Sequence, residues 1–472
     1  MLLLVFLVWS FVNPSSCFFN VYPKIKQISF KGDPGEPLYL TPLIEAGKIK
    51  EAQSAANVGP LKGAENITSF SGYLTVNKKF NSNLFFWFFP VESNNYPSAP
   101  VVLWLQGGPG SSSLFGLFTE NGPFSVNSKY YLKLRKYSWT KTHSVIYIDN
   151  PVGTGYSFTE SDDGYARNET AVGEDLYNAL LQFFQLFPEL QQSEFYVTGE
   201  SYAGKYVPAL SYTIHTKNPG AKQVINFKGM AIGNGLCDPE HMLKYGDYLY
   251  QIGLIDVNGR TVFHKMEDVA MKYIQEKKWN EAFDVFDKLL NGDVHGGTVL
   301  YNLTGFSFYF NYLHHKGEGN DALGTYIQLA KVRKAIHVGN LTFHTDNKVE
   351  EHLKQDIMQS VKPWVEILLE EYRVLIYNGQ LDIIVAYPLT LGFLQALDWS
   401  GAAAYKTAPR LQWHVGNDLA GYAKSVNHLT EILVIQVTGC SKSDSHCVLH
   451  FSTISMAGDI YFCSTVFRVT KD

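Results

Sequence analysis

The order of residues predicts an α/β fold, with a mostly parallel central sheet, helices on both faces and a helical cap. Three observations predict it. Short runs of β-branched, aromatic and aliphatic residues recur along the chain, each closed by Gly, Asn or Asp. Stretches of helical periodicity separate them. The segment from about Pro239 to Tyr326 breaks the alternation with helical patterns and polar, glycine-bearing interruptions of its own. Apolar runs of this length between turn residues read as buried strands, and strands alternating with helices build a parallel sheet covered on both sides.

The elements follow in order. Met1–Val12 is almost wholly apolar, too short to span a bilayer, and leads into Pro14-Ser15-Ser16-Cys17, which reads as a secretory signal over residues 1–17. The remainder, 18–472, reads as one domain with a cap insertion at about 239–326 and a divergent tail at 438–472. The expected parallel strands are Asn83–Phe89, Val101–Leu105, Ser144–Ile148, Phe195–Thr198, Lys228–Ile232, Arg373–Tyr377 and Glu431–Val437. Between them, Val172, Leu176, Ala179, Leu180 and Phe183 recur at helical spacing, predicting a helix over Asn168–Phe187 that Pro188 stops. Asn280–Leu290 is helical in pattern and Asn291–Thr298 is a polar break within the insertion.

Composition narrows the function classes. With 472 residues, 46% of them hydrophobic, the chain has ample material for a large core. A formal charge of −5 argues against a nucleic-acid or anionic-membrane partner. The stretch Lys129–Lys141, with Lys133, Arg135 and Lys136 among tyrosines, reads as a solvated loop. No segment after the N-terminus has the uninterrupted apolar length of a membrane span. Asn66, Asn168, Asn302 and Asn340 each begin an Asn-x-Thr sequon, which together with the N-terminal signal predicts a glycoprotein of the secretory pathway, lysosomal or extracellular. The cysteines are Cys17, Cys237, Cys440, Cys447 and Cys463; their spacing lacks a zinc pattern, and no metal or cofactor is expected.

The chemistry begins at Gly199-Glu200-Ser201-Tyr202-Ala203-Gly204, directly after an apolar run. Small residues on both sides of Ser201 let a strand turn sharply into a helix and expose a hydroxyl beside backbone N–H groups, the nucleophile elbow of an α/β-hydrolase. A serine hydroxyl needs a base and the base an orienting carboxylate; in this fold the order is Ser, Asp, His. Asp382, after the run Arg373–Tyr377, is placed to be that carboxylate. One oxyanion donor is expected from the N–H of Tyr202, the residue after the serine, and the other from the loop Gly107–Gly110.

Three further segments accompany the elbow: Trp104-Leu105-Gln106-Gly107-Gly108-Pro109-Gly110-Ser111-Ser112, Asp149-Asn150-Pro151-Val152-Gly153-Thr154-Gly155-Tyr156-Ser157 and Asn378-Gly379-Gln380-Leu381-Asp382. With Gly199–Gly204 they resemble the serine carboxypeptidase family, and within it the vitellogenic-like branch, from about Leu38 to about Val434. The resemblance implies an enzyme that releases the last residue of a peptide at acidic pH. It assigns the second oxyanion donor to Gly108 and the grip on the substrate's terminal carboxylate to Gln106, Glu120 and Glu200. Two adjacent glutamates cannot both ionise easily, so one keeps a proton to donate to that carboxylate. Gln106 departs from the asparagine usual in the family by one methylene.

The resemblance weakens at the C-terminus. The family's histidine lies in a glycine-rich turn after the last core strand. Here Thr438-Gly439-Cys440-Ser441-Lys442-Ser443 has no Gly-His-x-x-Pro pattern, and His446 and His450 are the nearest histidines. Nor has the cap the family's disulfides, since residues 238–439 contain no cysteine. Two readings follow. One is a carboxypeptidase whose turnover the missing motif would impair; the other is an inactive relative that binds peptide C-termini. An esterase or acyltransferase is disfavoured because its substrates offer no terminal carboxylate for the glutamate pair. Neither oligomeric state nor the preferred C-terminal residue is legible.

Overall fold

The computed structural model describes residues 31–93, 96–292, 296–317, 322–345 and 347–437. The expected signal at 1–17, the tail at 438–472, Cys17, Cys440, Cys447, Cys463, His446 and His450 lie outside the described residues.

Twelve strands are described: β1 (Phe70–Asn77), β2 (Ser82–Phe89), β3 (Val101–Leu105), β4 (Phe124–Val126), β5 (Leu132–Leu134), β6 (Ser144–Ile148), β7 (Phe195–Glu200), β8 (Phe227–Gly233), β9 (Arg373–Gly379), β10 (Leu411–Val415), β11 (Asp418–Val426) and β12 (Leu429–Val434). Ten form one sheet in the order β1-β2-β6-β3-β7-β8-β9-β12-β11-β10; β4 and β5 pair separately. The central run from β6 to β12 is parallel. At both margins the pairing turns antiparallel. Asn83–Phe89, expected as parallel, is therefore corrected: it pairs antiparallel with both neighbours because it returns from β1 through a tight turn in which Asn81 has φ 45°. This is the α/β-hydrolase architecture.

Alternation along the strands builds two cores. Phe86, Phe88, Leu103, Leu105, Val197 and Ile232 face one side, packed with Phe183, Val207 and Leu210 of the helices Glu169–Leu186 and Ala203–Lys217. Phe85, Trp87, Val102, Trp104 and Tyr147 face the other, with Leu114, Leu117 and Phe118 of the helix Leu114–Thr119. Each such side chain, fully withdrawn from water, contributes about 1.5–3 kcal/mol before entropy is counted. The helix Glu169–Leu186 begins where Asn168 Oδ1 accepts the N–H of Ala171 at 2.9 Å and ends before Pro188.

Between β8 and β9 the chain is helical: Tyr245–Gln251, Val257–Gln275, Trp279–Phe286, Val299–Thr304, Ala322–Ile327, Ala330–Ala335, Lys348–Ile357 and Lys362–Glu371. The helical pattern of Asn280–Leu290 is split, with Trp279–Phe286 α-helical and Asp287–Asn291 a π turn. This insertion is fastened to the loop after β9. Tyr248 Oη donates to the carbonyl of Asp382 at 2.9 Å and Tyr245 Oη to that of Ile384 at 2.7 Å, while the N–H of Tyr312 meets Leu381 O at 2.9 Å.

Candidate active site

The C-terminal ends of β3, β7, β8 and β9 carry Gln106, Ser201, Asn234 and Asp382 to one edge of the sheet, where ligands bind in parallel α/β folds. Ser201 follows β7 with φ 60°, a conformation an L residue adopts at a cost of order 1–3 kcal/mol. The turn is held by its backbone. Ser201 N–H donates to Gly233 O at 3.0 Å, and its carbonyl accepts from Gly204 N at 2.9 Å and Leu236 N at 3.0 Å. Close approach explains the glycines. A Cβ on Gly199 would lie 2.5 Å from Leu105 O, and one on Gly204 would lie 2.6 Å from Leu236 N.

The glycine loop after β3 presses on the elbow, since a Cβ on Gly107 would sit 2.4 Å from the Tyr202 nitrogen. Gly108 has φ 113°, a left-handed conformation that favours glycine. Among the described residues no acceptor is paired with the backbone N–H of Gly108 or of Tyr202. Asp149 ties this loop to the one after β6: its Oδ1 accepts from Ser112 Oγ at 2.5 Å and Ser113 N at 3.0 Å, its Oδ2 from Tyr156 N at 2.8 Å.

Gln106, Glu120 and Glu200 come together and are buried. Gln106 Nε2 donates to Glu200 Oε1 at 2.6 Å while its Oε1 accepts from Trp104 Nε1 at 3.1 Å. The extra methylene is thus used: the amide spans from the indole to the glutamate. The Glu120 and Glu200 carboxyls are close enough to interact directly. Burial holds both carboxyls above the ordinary range; on Glu200 the Glu120 charge adds to it, whereas on Glu120 the Arg135 charge works against it. One buried Glu120 oxygen, Oε1, has no hydrogen-bond partner.

Asp382 is buried, accepting from Val385 N at 2.9 Å through Oδ1 and from Asn234 Nδ2 at 3.1 Å through Oδ2. Burial first, then the Glu200 charge, push it up to about 8. An imidazolium set against it would bring it down again. Among the described residues no histidine is hydrogen-bonded to Asp382 or to Ser201.

Three participants were not singled out from sequence. Asn234, in Gly233-Asn234-Gly235 at the end of β8, bonds Asp382 and also accepts from Gly379 N at 2.8 Å. Trp104 braces Gln106. Arg135, expected in a solvated loop, is half-buried instead and donates to the carbonyls of Glu120 at 3.0 Å and Phe118 at 2.6 Å, fixing the turn that carries Glu120. The signals were a Gly-Asn-Gly at a strand end and an arginine among aromatics.

Asp238, Glu240 and His241 bring ligand-type atoms within 4.8 Å of one another, but Asp238 Oδ2 and His241 Nδ1 already satisfy each other at 2.6 Å. The sequon residues Asn66, Asn168, Asn302 and Asn340 are all exposed. No helix of the described residues is long and apolar enough to cross a membrane.

Known proteins are similar to this chain. A venom serine carboxypeptidase of Apis mellifera is 58% identical over 430 residues, covering 90% of this chain and 92% of its own. The probable serine carboxypeptidase CPVL of Homo sapiens is 50% identical over 411 residues, 86% of either chain. A vitellogenic carboxypeptidase of Aedes aegypti is 46% identical over 425 residues, covering 88% of this chain and 89% of its own. Among solved structures, a prohormone-processing carboxypeptidase from Saccharomyces cerevisiae shares the fold, with a TM-score of 0.65 at 21% identity over 82% of this chain and 92% of that one. The family model described as serine carboxypeptidase matches residues 60–441, and the chain belongs to the serine carboxypeptidase family.

Proposed function

We propose that this serine-type carboxypeptidase releases C-terminal residues from peptides under acidic conditions, with Ser201 as nucleophile. The observation that carries the reading is the buried Gln106–Glu200–Glu120 cluster, whose Glu200 adjoins Ser201 in the chain. A cluster that retains a proton beside the nucleophile is suited to hydrogen-bond a carboxylate and so to select a chain end.

In the proposed reaction the terminal carboxylate rests on Gln106, Glu120 and Glu200. Ser201 Oγ attacks the carbonyl carbon of the last peptide bond as a base takes its proton. The oxyanion is received by the N–H groups of Gly108 and Tyr202. The same base returns the proton to the departing amine, leaving an acyl-enzyme that water hydrolyses. Asp382 orients the imidazole that serves as base; His446 and His450, beyond the described residues, are the candidates. The alternative is a relative that binds peptide ends without turnover, favoured by the departure of Thr438–Ser443 from the family's histidine motif.

A secretory location, lysosomal or extracellular, is part of the reading. The venom and vitellogenic relatives and the four exposed sequons support it. At Asn168, an exposed residue, the capping bond uses only Oδ1 and not the amide nitrogen that would carry a glycan.

The test is fluorophosphonate labelling of the folded protein at pH 5, with Ser201→Ala beside it. Labelling that the substitution abolishes, together with release of free amino acid from a peptide, is the expected result. A folded wild-type chain that binds peptide but neither labels nor cleaves would establish the alternative.

A further inference from the structure

The helix that leaves the elbow carries a buried polar face that the reaction above does not use. Tyr202, Lys205 and Tyr206, at i, i+3 and i+4, lie on one side of it and are all buried. The two tyrosine rings meet edge to face at 5.2 Å. Lys205 Nζ donates to the carbonyls of Asp356, Ile357 at 3.1 Å and Gln359 at 2.9 Å, and lies 3.3 Å from Asp356 Oδ2. Its charge is thereby met at the end of the helix Lys348–Ile357.

Opposite this face stands Glu169, the first residue of the helix Glu169–Leu186 and 1% exposed. Both its carboxyl oxygens are enclosed without a well-formed hydrogen bond, and so are the hydroxyls of Tyr202 and Tyr206. Buried polar atoms in that state are rare and need a reason. Each has its complement at hand. The Tyr202 hydroxyl lies against the Glu169 carboxyl, and the Tyr206 hydroxyl against the backbone N–H of Gly110, in the glycine loop. That loop touches the Tyr202 backbone at Gly107. The Tyr202 backbone and the glycine loop, which carry the two N–H groups proposed for the oxyanion, thus meet one set of buried hydroxyls.

We propose that Glu169 is a positioning residue: through Tyr202 and Tyr206, its carboxyl fixes the spacing of the two N–H groups that receive the oxyanion. The inference rests on the function proposed above. Burial raises the Glu169 carboxyl to about 8, against the pull of Lys205, with Asp356 adding to the rise; in an acidic compartment it is neutral, able both to donate to and accept from a hydroxyl. Lys205, Asp356, Tyr202, Tyr206 and Glu350 are the titratable groups around the cluster.

The test compares Glu169→Ala and Glu169→Gln with wild type. It measures kcat and KM on a peptide, inhibition by a peptide aldehyde whose hemiacetal with Ser201 carries an oxyanion, and inhibition by a product-like peptide. Loss of one oxyanion donor costs about 10²–10³ in kcat, so loosening both is expected to lower kcat about 10–100-fold in Glu169→Ala. Aldehyde affinity should fall in parallel while KM and product affinity hold. Glu169→Gln, neutral and still a donor, should restore kcat to within about fivefold of wild type. If Glu169→Ala does not fold, Tyr202→Phe and Tyr206→Phe carry the same comparison. A folded variant with unchanged kcat, a loss confined to KM, an unmoved aldehyde affinity, or a glutamine variant as impaired as alanine would each overturn the proposal. Wild-type protein without turnover would overturn the functional reading, and this inference with it.

Discussion

Replacing Glu120 by glutamine tests how the carboxylate cluster recognises a chain end. In the wild type, Glu120 and Glu200 adjoin each other in a buried site, and each is held above the ordinary carboxyl range. Binding should persist while the pair retains a proton and fail when both ionise. Two unit charges about 5 Å apart at an effective dielectric of about 20 repel by about 3 kcal/mol. The rise in KM across the step that leaves both glutamates ionised is therefore about a hundredfold. In Glu120→Gln, the Glu120 charge that helps hold Glu200 up is removed, leaving burial, opposed by the Gln106 hydrogen bond. The proton of Glu200 then leaves at lower pH, and the alkaline limb of kcat/KM should move toward acid. The assay is the pH profile of kcat/KM on a peptide with a free C-terminus, beside the same peptide amidated, which should lack the limb. A limb that stays in place or moves toward alkali in the variant, or that the amidated peptide shares, refutes the reasoning.

Two further outcomes follow from the geometry. Gly107→Ala should lower kcat by about 10²-fold or more with the far-ultraviolet spectrum unchanged, because its Cβ would lie 2.4 Å from Tyr202 N and spread the elbow from its loop; activity within threefold of wild type would contradict this. Stability should fall as pH rises. Asp149 is raised to about 6, Asp175 and Glu267 to about 7 and Glu169 to about 8, all chiefly by burial. The stability linked to such groups is complete below ordinary carboxyl values and lost as pH climbs through their folded ones, so Tm should be about 5 °C or more lower at pH 8 than at pH 5. Calorimetry giving an equal or higher Tm at pH 8 would count against it.

The parallel centre of the sheet was legible because a strand buried on both faces is a continuous apolar run. Val101–Leu105 and Ser144–Ile148 have the bounds the runs imply, and Phe195–Thr198 extends only to Glu200. The margins were not. β1 mixes Ser71, Gly72 and Thr75 among its apolar residues, and β10 and β11 alternate with Gln412, His414 and Lys424, so neither gives a run. Strand direction was illegible at Asn83–Phe89, because burial on both faces looks alike in either sense. At the site, the elbow and glycine loop could be read because steric demand restricts which residues fit. The meeting of Gln106, Glu120 and Glu200 came only by resemblance, since nothing local joins residues so far apart. Asn234 and Arg135 escaped because they act largely through backbone groups, which no residue pattern announces.

The cap's attachment to the loop after β9 has a consequence for how the enzyme fails. Three hydrogen bonds from the insertion, from Tyr245, Tyr248 and Tyr312, end on the turn that carries Asp382. Among the described residues no disulfide joins the insertion to the body, and Cys237 at its root is a free thiol. Whatever loosens the cap, whether heat or a protease cut in its outer helices, also loosens the turn that carries Asp382. Catalysis should then disappear while the sheet is still folded, so that inactivation is decided by the fastening of the insertion rather than by the strength of the core.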